Sequence, residues 1–314
     1  MNSPYIIFDG TNTAYRTAAV TELSTSDGIR TSVPFGVLRS IRYVIELFNP
    51  SDVVIVWDGG RDKTRCELCP GYKKSKKRVD NRNKFDYEDL IKQLKLTQKM
   101  LYCLGLKQIR LSGVEADDII YHLTKMVNSQ NVIIVSTDKD FYQLLDERVS
   151  IYSPIKGEMI NDDNLHKYLA VMGITTPQQY LEFHILNGDK SDNIPGVPGV
   201  GEVTAAKLIE NFGTVDNAIK MIGKKPGYFG NRETAITHPR SMKQLEINRE
   251  MIDLSRCNKA IPSMLNSVND TNVPDYKEFG LLIEKMHFSS MLRDINTWLL
   301  PFKKLAVRRK LSGI

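Results

Sequence analysis

The chain has 314 residues, 41% hydrophobic and 25% charged, which suits one large domain or two smaller ones. No apolar run approaches the roughly 18 residues of a membrane helix. Tyr5-Ile6-Ile7-Phe8 follows the first residues with no basic segment before it, so neither a membrane partner nor a secretory leader is expected. Four cysteines do not make a disulfide framework in a chain this long, and a reducing cytoplasm is the expected location. Cys66-Glu67-Leu68-Cys69 is a single CxxC with no second ligand pair beside it, and reads as two ordinary thiols rather than a zinc site. The net charge of +6 is unevenly spread. Between Arg61 and Lys84 stand ten Lys/Arg and three acids, a window of +7, so the rest of the chain sums to −1. Such a concentration suggests a polyanion contact, although a solvated loop can carry one too.

In chain order, Tyr5–Phe8, Val53–Trp57, Gln108–Leu111, Val132–Val135 and Val149–Tyr152 are short β-branched runs that predict strands. Apolar spacing of 3.6 predicts helices over 34–48, 86–104, 116–128 and 139–146 between them. Alternating strands and helices imply an α/β fold, a central mostly parallel sheet flanked by helices. Beyond residue 165 the strand signals fade. Helices are then expected over 163–172, 177–186, 202–211, 214–222, 240–254 and 275–286. The expected division is an α/β core over 1–180 and a helical half over 181–314. Arg308-Arg309-Lys310 is expected to be a solvated tail.

Three predicted strands run into aspartate, at Asp9, Asp58 and Asp138. The carboxyl ends of parallel strands face the ligand crevice, so these acids should converge. Glu115-Ala116-Asp117-Asp118 opens the helix after the third strand, Asp140 follows Asp138, and Asp189-Lys190-Ser191-Asp192 comes later. Singly, each acid has an ordinary explanation as a cap or a first-turn residue. Together they would repel strongly unless cations lay among them. Oxygen-only donors suit Mg²⁺ or Mn²⁺, and two such ions about 4 Å apart can assist an in-line phosphoryl displacement. Ile194-Pro195-Gly196-Val197-Pro198-Gly199-Val200-Gly201 is a turn ahead of a helix, either a plain connector or a phosphate seat of backbone N–H groups.

Phe8-Asp9-Gly10, Trp57-Asp58-Gly59, Gly113-Val114-Glu115-Ala116-Asp117-Asp118, Ser136-Thr137-Asp138-Lys139-Asp140 and Asn187-Gly188-Asp189-Lys190-Ser191-Asp192-Asn193 occur in the order of a known family. The sequence resembles the 5′-nuclease/flap endonuclease superfamily over residues 5 to 222, especially its bacteriophage-type members and the 5′-nuclease domain of bacterial DNA polymerase I. Trp57 stands where that family usually has Phe. The resemblance implies that Asp9, Asp58, Glu115 and Asp117 hold a first ion, with Asp117 bridging. Asp118, Asp138, Asp140, Asp189 and Asp192 would serve a second. It implies a basic helical arch near 61–100, in which Arg65, Tyr72, Lys73 and Lys76 contact DNA. Tyr72 would stack on a base and Lys73 would act at the scissile phosphate. Lys76 stands where Arg is common, and a lysine lacks the bidentate fork. It further implies a helix-hairpin-helix near 187–222, with Gly199, Gly201 and Lys207 on duplex backbone and a K⁺ on loop carbonyls.

The implied activity is metal-assisted hydrolysis of phosphodiesters in branched, flapped or nicked DNA and RNA·DNA hybrid. Asp58, Asp117 and Lys73 would be the catalytic residues, and removal of RNA primers or 5′ flaps in replication the role. A monomer is expected, with a single-strand-binding protein or a clamp as a possible partner. Two other readings are a PIN-type ribonuclease, which needs only about four acids and no glycine hairpin, and a non-catalytic binder of branched DNA, which would not need all nine acids.

Overall fold

The computed structural model describes residues 3–20, 22–74, 86–127, 130–169, 173–225, 227–268 and 272–312. Six strands, β1 (Tyr5–Asp9), β2 (Asp52–Val56), β3 (Lys107–Ile109), β4 (Val132–Val135), β5 (Val149–Ser153) and β6 (Glu158–Ile160), form one sheet in the order β3-β2-β1-β4-β5-β6. All neighbours are parallel except β5 and β6. The chain steps outward from β1 to β2 and β3, then returns to the other side of β1 with β4. The reversal falls at β1/β4, where an open parallel sheet leaves its crevice.

The helices that position the site are α1 (Gly10–Val20), α2 (Ser32–Phe48), α3 (Lys63–Leu68), α4 (Tyr87–Cys103), α5 (Ala116–Met126), α6 (Pro177–Asn187), α7 (Glu202–Phe212), α8 (Val215–Lys224), α9 (Pro239–Ile252), α10 (Tyr276–Lys285) and α11 (Ile295–Ser312). Strand alternation supplies two cores. Tyr5, Ile7, Val54, Val56, Val132 and Ile134 face α5 and the helices α6 to α9. Ile6, Phe8, Val53, Ile55, Ile133 and Val135 face α1, α2, α4, α10 and α11. Both faces are buried, which is why the strands read as continuous apolar runs.

The predicted strands and most predicted helices are present within one to three residues. The expected helix at 139–146 is a short 3-10 turn, Asp140–Leu144, and that at 163–172 is 3-10 over Asp162–Lys167. The helix α1 escapes a periodicity search because its buried stripe is Gly10, Thr13, Ala14 and Thr17 rather than large apolar residues. Thr13 and Thr17 satisfy their hydroxyls on the carbonyls of Asp9 and Thr13, four residues back.

The C-terminal segment corrects the expectation of a solvated tail. Trp298, Leu299, Phe302 and Leu305 of α11 are buried against α2 and the sheet, with Trp298 stacked between Phe279 and Phe302. Arg308 donates to the Pro50 carbonyl at 2.8 Å, and Arg309 pairs with Asp52 and donates to the Val53 carbonyl. Among the described residues, no helix is long and apolar enough to cross a membrane.

Candidate active site

Three adjacent strands deliver carboxylates to one edge. Asp9 is the last residue of β1, Asp58 follows β2 by two residues, and Asp138 follows β4 by three. The register pairs Asp9 with Val56 and Phe8 with Val135, so the three acids leave the sheet side by side. Asp9 is 4% exposed and accepts from the Asn12 N–H and the Ser136 hydroxyl, each at 2.9 Å. Asp58 accepts from the Ala116 N–H at 2.8 Å, and its own N–H donates to Thr11 Oγ1 at 2.9 Å. The Asp138 carboxylate accepts from the Asp140 N–H at 3.0 Å. Thr11, Asn12, Ser136 and Thr137 are the supporting residues that the motif reading passed over. Asn12 Oδ1 takes the Thr137 hydroxyl at 2.9 Å, tying the turn after β1 to the turn after β4. The available signal was a pair of small polar residues beside two of the strand-end acids, Thr11-Asn12 after Asp9 and Ser136-Thr137 before Asp138.

A cleft of about 1100 Å³ opens here, lined by Asp9, Asp58, Asp117, Asp138, Asp140 and Asp192, with Lys73 over them. Burial first, then the charges of Asp58 and Asp138, pushes Asp9 up to about 7. Asp117 is raised well above the carboxylate range by burial and by Asp138, Asp58 and Asp9, with Lys73 opposing. Asp140 is raised likewise by burial and by Asp138, Asp189 and Asp192. Asp189 turns its carboxylate onto the Ser191 N–H at 2.7 Å and the Ser191 hydroxyl at 2.9 Å.

The acidic run at the start of α5 divides. Glu115 is the residue before the helix and Asp118 lies three further on, about 60° apart around the axis, so they share a side that Asp117 does not. Into that side comes Arg65, 5% exposed. It holds Asp118 with two bonds of 3.0 and 2.7 Å and reaches Glu115 Oε2 at 3.1 Å. The resemblance implied an Asp118 near the second ion and an Arg65 on DNA. In this structure the two are bonded to each other inside the protein. Tyr72, implied to contact a base, is 3% exposed here, packs with Cys69, Ile194 and Met251, and donates its hydroxyl to Glu115 Oε2 at 2.6 Å. Burial would raise Glu115, but Lys73, Tyr72 and Arg65 together hold it below the ordinary carboxylate range.

Lys73 does reach the pit. Its ammonium lies 2.8 Å from Glu115 Oε2 and 3.9 Å from Asp192 Oδ2. Burial would lower its pKa, yet Tyr72, Asp117, Glu115 and Asp192 raise it well above the usual lysine value, so it stays charged. Its backbone has φ 55° and its N–H donates to the Asp192 carbonyl at 2.8 Å. Lys76, with the rest of residues 75–85, lies outside the described residues. Cys66 and Cys69 are free thiols in the cluster around Tyr72, and the Cys69 thiol faces the Asn193 carbonyl at 3.8 Å.

The glycine turn links α6 to α7 compactly. Asp189 and Ile194 exchange backbone bonds of 3.0 and 2.7 Å, and the Val197 N–H donates to the Leu186 carbonyl at 2.8 Å. Gly188 has φ 72°, and a Cβ there would lie 2.4 Å from the Ile194 carbonyl oxygen. Gly199 has φ 81° with the Ala235 Cβ 3.2 Å from where its own would be. Gly201, with no side chain to cap it, begins α7, on which Lys207 is exposed while Ala205, Leu208 and Ile209 are buried. The side chain of Asn193 donates to the Gly71 carbonyl at 2.8 Å, so this turn is joined directly to the segment carrying Tyr72 and Lys73.

An oxygen-only donor set of this density fits hard divalent cations. Asp9, Asp58, Asp117, Asp138 and Asp140 are the residues that could hold them. Among the described residues no three potential ligands are yet close enough to close on one ion, as expected of carboxylates that repel across an open cleft.

Comparison with known proteins agrees with this architecture. Residues 4–170 match the family model for the 5′-3′ exonuclease N-terminal resolvase-like domain, and residues 175–269 that for the 5′-3′ exonuclease C-terminal SAM fold. The chain is 28% identical over 302 residues to the 5′-3′ exonuclease of Aquifex aeolicus, covering 94% of this chain and 96% of that one. It is 30% identical over 293 residues to the thermostable DNA polymerase I of Thermus filiformis, spanning 92% of this chain but only 33% of the polymerase. In fold it is similar to the bacteriophage T5 flap endonuclease in complex with DNA and metal ions, with TM-score 0.67, 20% identity, and coverage of 90% of this chain and 99% of that one. Two family models side by side, over a sheet whose strand-end aspartates meet in one cleft, establish that the chain belongs to the 5′-3′ exonuclease family.

Proposed function

We propose that the protein is a divalent-cation-dependent 5′ nuclease that hydrolyses phosphodiesters near the 5′ ends of flapped, branched or nicked DNA and RNA·DNA, as in removal of 5′ flaps or RNA primers. The observation that carries this reading is the cleft in which Asp9, Asp58, Asp117, Asp138 and Asp140 gather beneath Lys73. Magnesium or manganese ions held there would supply charge neutralisation and an acidified water. Asp9 is fixed on both oxygens by the Asn12 N–H and the Ser136 hydroxyl, and Asp58 on Oδ1 by the Ala116 N–H, so both carboxylates line the cleft already oriented. Lys73, kept protonated, can offset charge on a phosphate entering above the carboxylates. Lys207 on exposed α7, together with the turn at Gly199 and Gly201, is suited to duplex backbone, which is gripped by charge and N–H groups without reading bases. Carbonyls of that turn are the candidate seat for K⁺.

A 5′-labelled flap incubated with Mg²⁺, with Mn²⁺ and with EDTA tests the reading. Cleavage near the flap junction is expected with either ion and none in EDTA. Full cleavage in excess EDTA would overturn it, and cleavage confined to single-stranded RNA would favour a PIN-type ribonuclease.

A further inference from the structure

The C-terminal part of α9 is secured at two points by side-chain amides. Asn248, fully buried, donates from Nδ2 to the carbonyls of Ile185 at 2.9 Å and Pro195 at 3.0 Å, and its Oδ1 accepts from the Gln244 amide at 2.9 Å. The first carbonyl belongs to the end of α6 and the second to the glycine turn. In a longer helix the Asp189 N–H would take the Ile185 carbonyl, but here it goes to Ile194. Asn248 supplies the donor that the turning backbone withdraws. Gln143 secures the end of α9 in the same manner. Its Nε2 donates to the carbonyls of Asp140 at 2.9 Å and Ile252 at 3.1 Å, and its Oε1 accepts from the Leu254 N–H at 2.9 Å. Both amide hydrogens of each side chain are therefore used. Between Asn248 and Ile252 lies one turn of helix, a rise of about 6 Å. The glycine turn and the Asp140 turn are thus tied to one short, internally bonded rod.

Resting on the nuclease reading above, with the glycine turn as its duplex seat, we propose that Asn248 and Gln143 are positioning residues for cleavage. Through them α9 is the spacer between that seat and the Asp140 side of the cleft. Its fixed length sets which phosphodiester lies over the carboxylates once the duplex is seated. The two ends should fail differently. Asn248→Ala releases the seat, so duplex grip and cutting position both suffer. Gln143→Met keeps the length of a half-buried side chain but has no donor for the Asp140 carbonyl, so the cleft is loosened while the seat stays intact.

The test maps single-turnover cleavage of a labelled flap in Mg²⁺ at nucleotide resolution, beside flap affinity in EDTA and the melting temperature of each protein. Asn248→Ala should bind the flap about threefold more weakly or worse, and should spread its cuts over neighbouring positions. Gln143→Met should keep its flap affinity within about twofold of wild type. Its cleavage at saturating flap should slow about tenfold or more, since small misplacements of reacting groups are costly. Leu245→Ala, a buried apolar site on the same helix with no polar group for either turn, is the control for lost stability alone. It should melt earlier yet cut at the wild-type position. Cuts scattered as widely in Leu245→Ala as in Asn248→Ala overturn the inference. So do Asn248→Ala and Gln143→Met proteins that match wild type in position, rate and affinity. If Asn248→Ala does not fold, Gln143→Met decides alone. Wild-type protein without metal-dependent cleavage near the flap junction brings down the nuclease reading and this inference with it. Wild-type cleavage matched by both variants brings down the inference only.

Discussion

Glu115 and Asp118 lie within three positions of Asp117, yet the protein treats them in opposite ways. The first two are enclosed by Arg65, Tyr72 and Lys73, so their charges are answered from within. Asp117 opens toward Asp9, Asp58 and Asp138, and its charge is opposed rather than answered. The turn of one helix makes the division, and Arg65 decides which side is self-sufficient. A run of acids is therefore not a single site. Half of it is an internal ion-pair cluster that fixes geometry, and half is a demand for cations.

Breaking the satisfied side should have the largest effect. Arg65→Ala leaves buried Asp118 without its main partner and takes one of three partners from Glu115, and removing one member of a buried pair costs about 3–5 kcal/mol. Urea unfolding in EDTA should show that loss, and a change below about 1 kcal/mol would mean that the cluster is not tight. On the other side, Asp58→Asn keeps an oxygen for the Ala116 N–H but removes the charge. Cleavage should fall at least about a hundredfold, roughly 2.7 kcal/mol of transition-state stabilisation. A gel shift should show flap binding equal to wild type or tighter, since a negative charge facing phosphate is gone. Cleavage within a few-fold of wild type would remove Asp58 from the catalytic set.

Smaller effects sharpen the contrast. Gly199→Val forces a β-branched residue into φ 81° against Ala235. About 1–2 kcal/mol of strain is expected, with weaker flapped-duplex binding and a less defined cleavage position. Unchanged affinity would make the turn a plain connector. The last effect concerns pH. Asp9 in the folded, metal-free protein titrates near 7, above its unfolded value of 3.8. The native state thus keeps a proton that the unfolded state has lost, and this stabilisation is full below about 4 and gone as pH rises through 7. Unfolding in EDTA at pH 5 and pH 8 should show lower stability at the higher pH, and Asp9→Asn should flatten that slope.

The strand-end acids were legible because β-branched runs such as Ile6-Ile7-Phe8 and Val53-Val54-Ile55-Val56 are contiguous, and a parallel sheet places their carboxyl ends together. The fate of Glu115 and Asp118 was not, because it depends on Arg65, some 50 residues earlier in the chain and brought in by tertiary packing. The packing of Tyr72 was hidden for the same reason, since its partners Glu115, Ile194 and Met251 lie far along the chain. The first helix was hidden by its threonine stripe, and α11 by Pro301 and by a cationic end that reads as solvated.

The arginines of α11 have a consequence at the far end of β2. Arg309 grips Asp52 and Val53 where that strand begins, and Asp58 stands just past where it finishes, roughly 20 Å along an extended chain. Because Val53 and Ile55 face the core that α11 helps to close, the last helix acts as a clamp on one end of a rod whose other end carries Asp58 of the cleft. Loosening that clamp would let the rod slide or fray, and the pit would lose alignment without any of its own residues being altered.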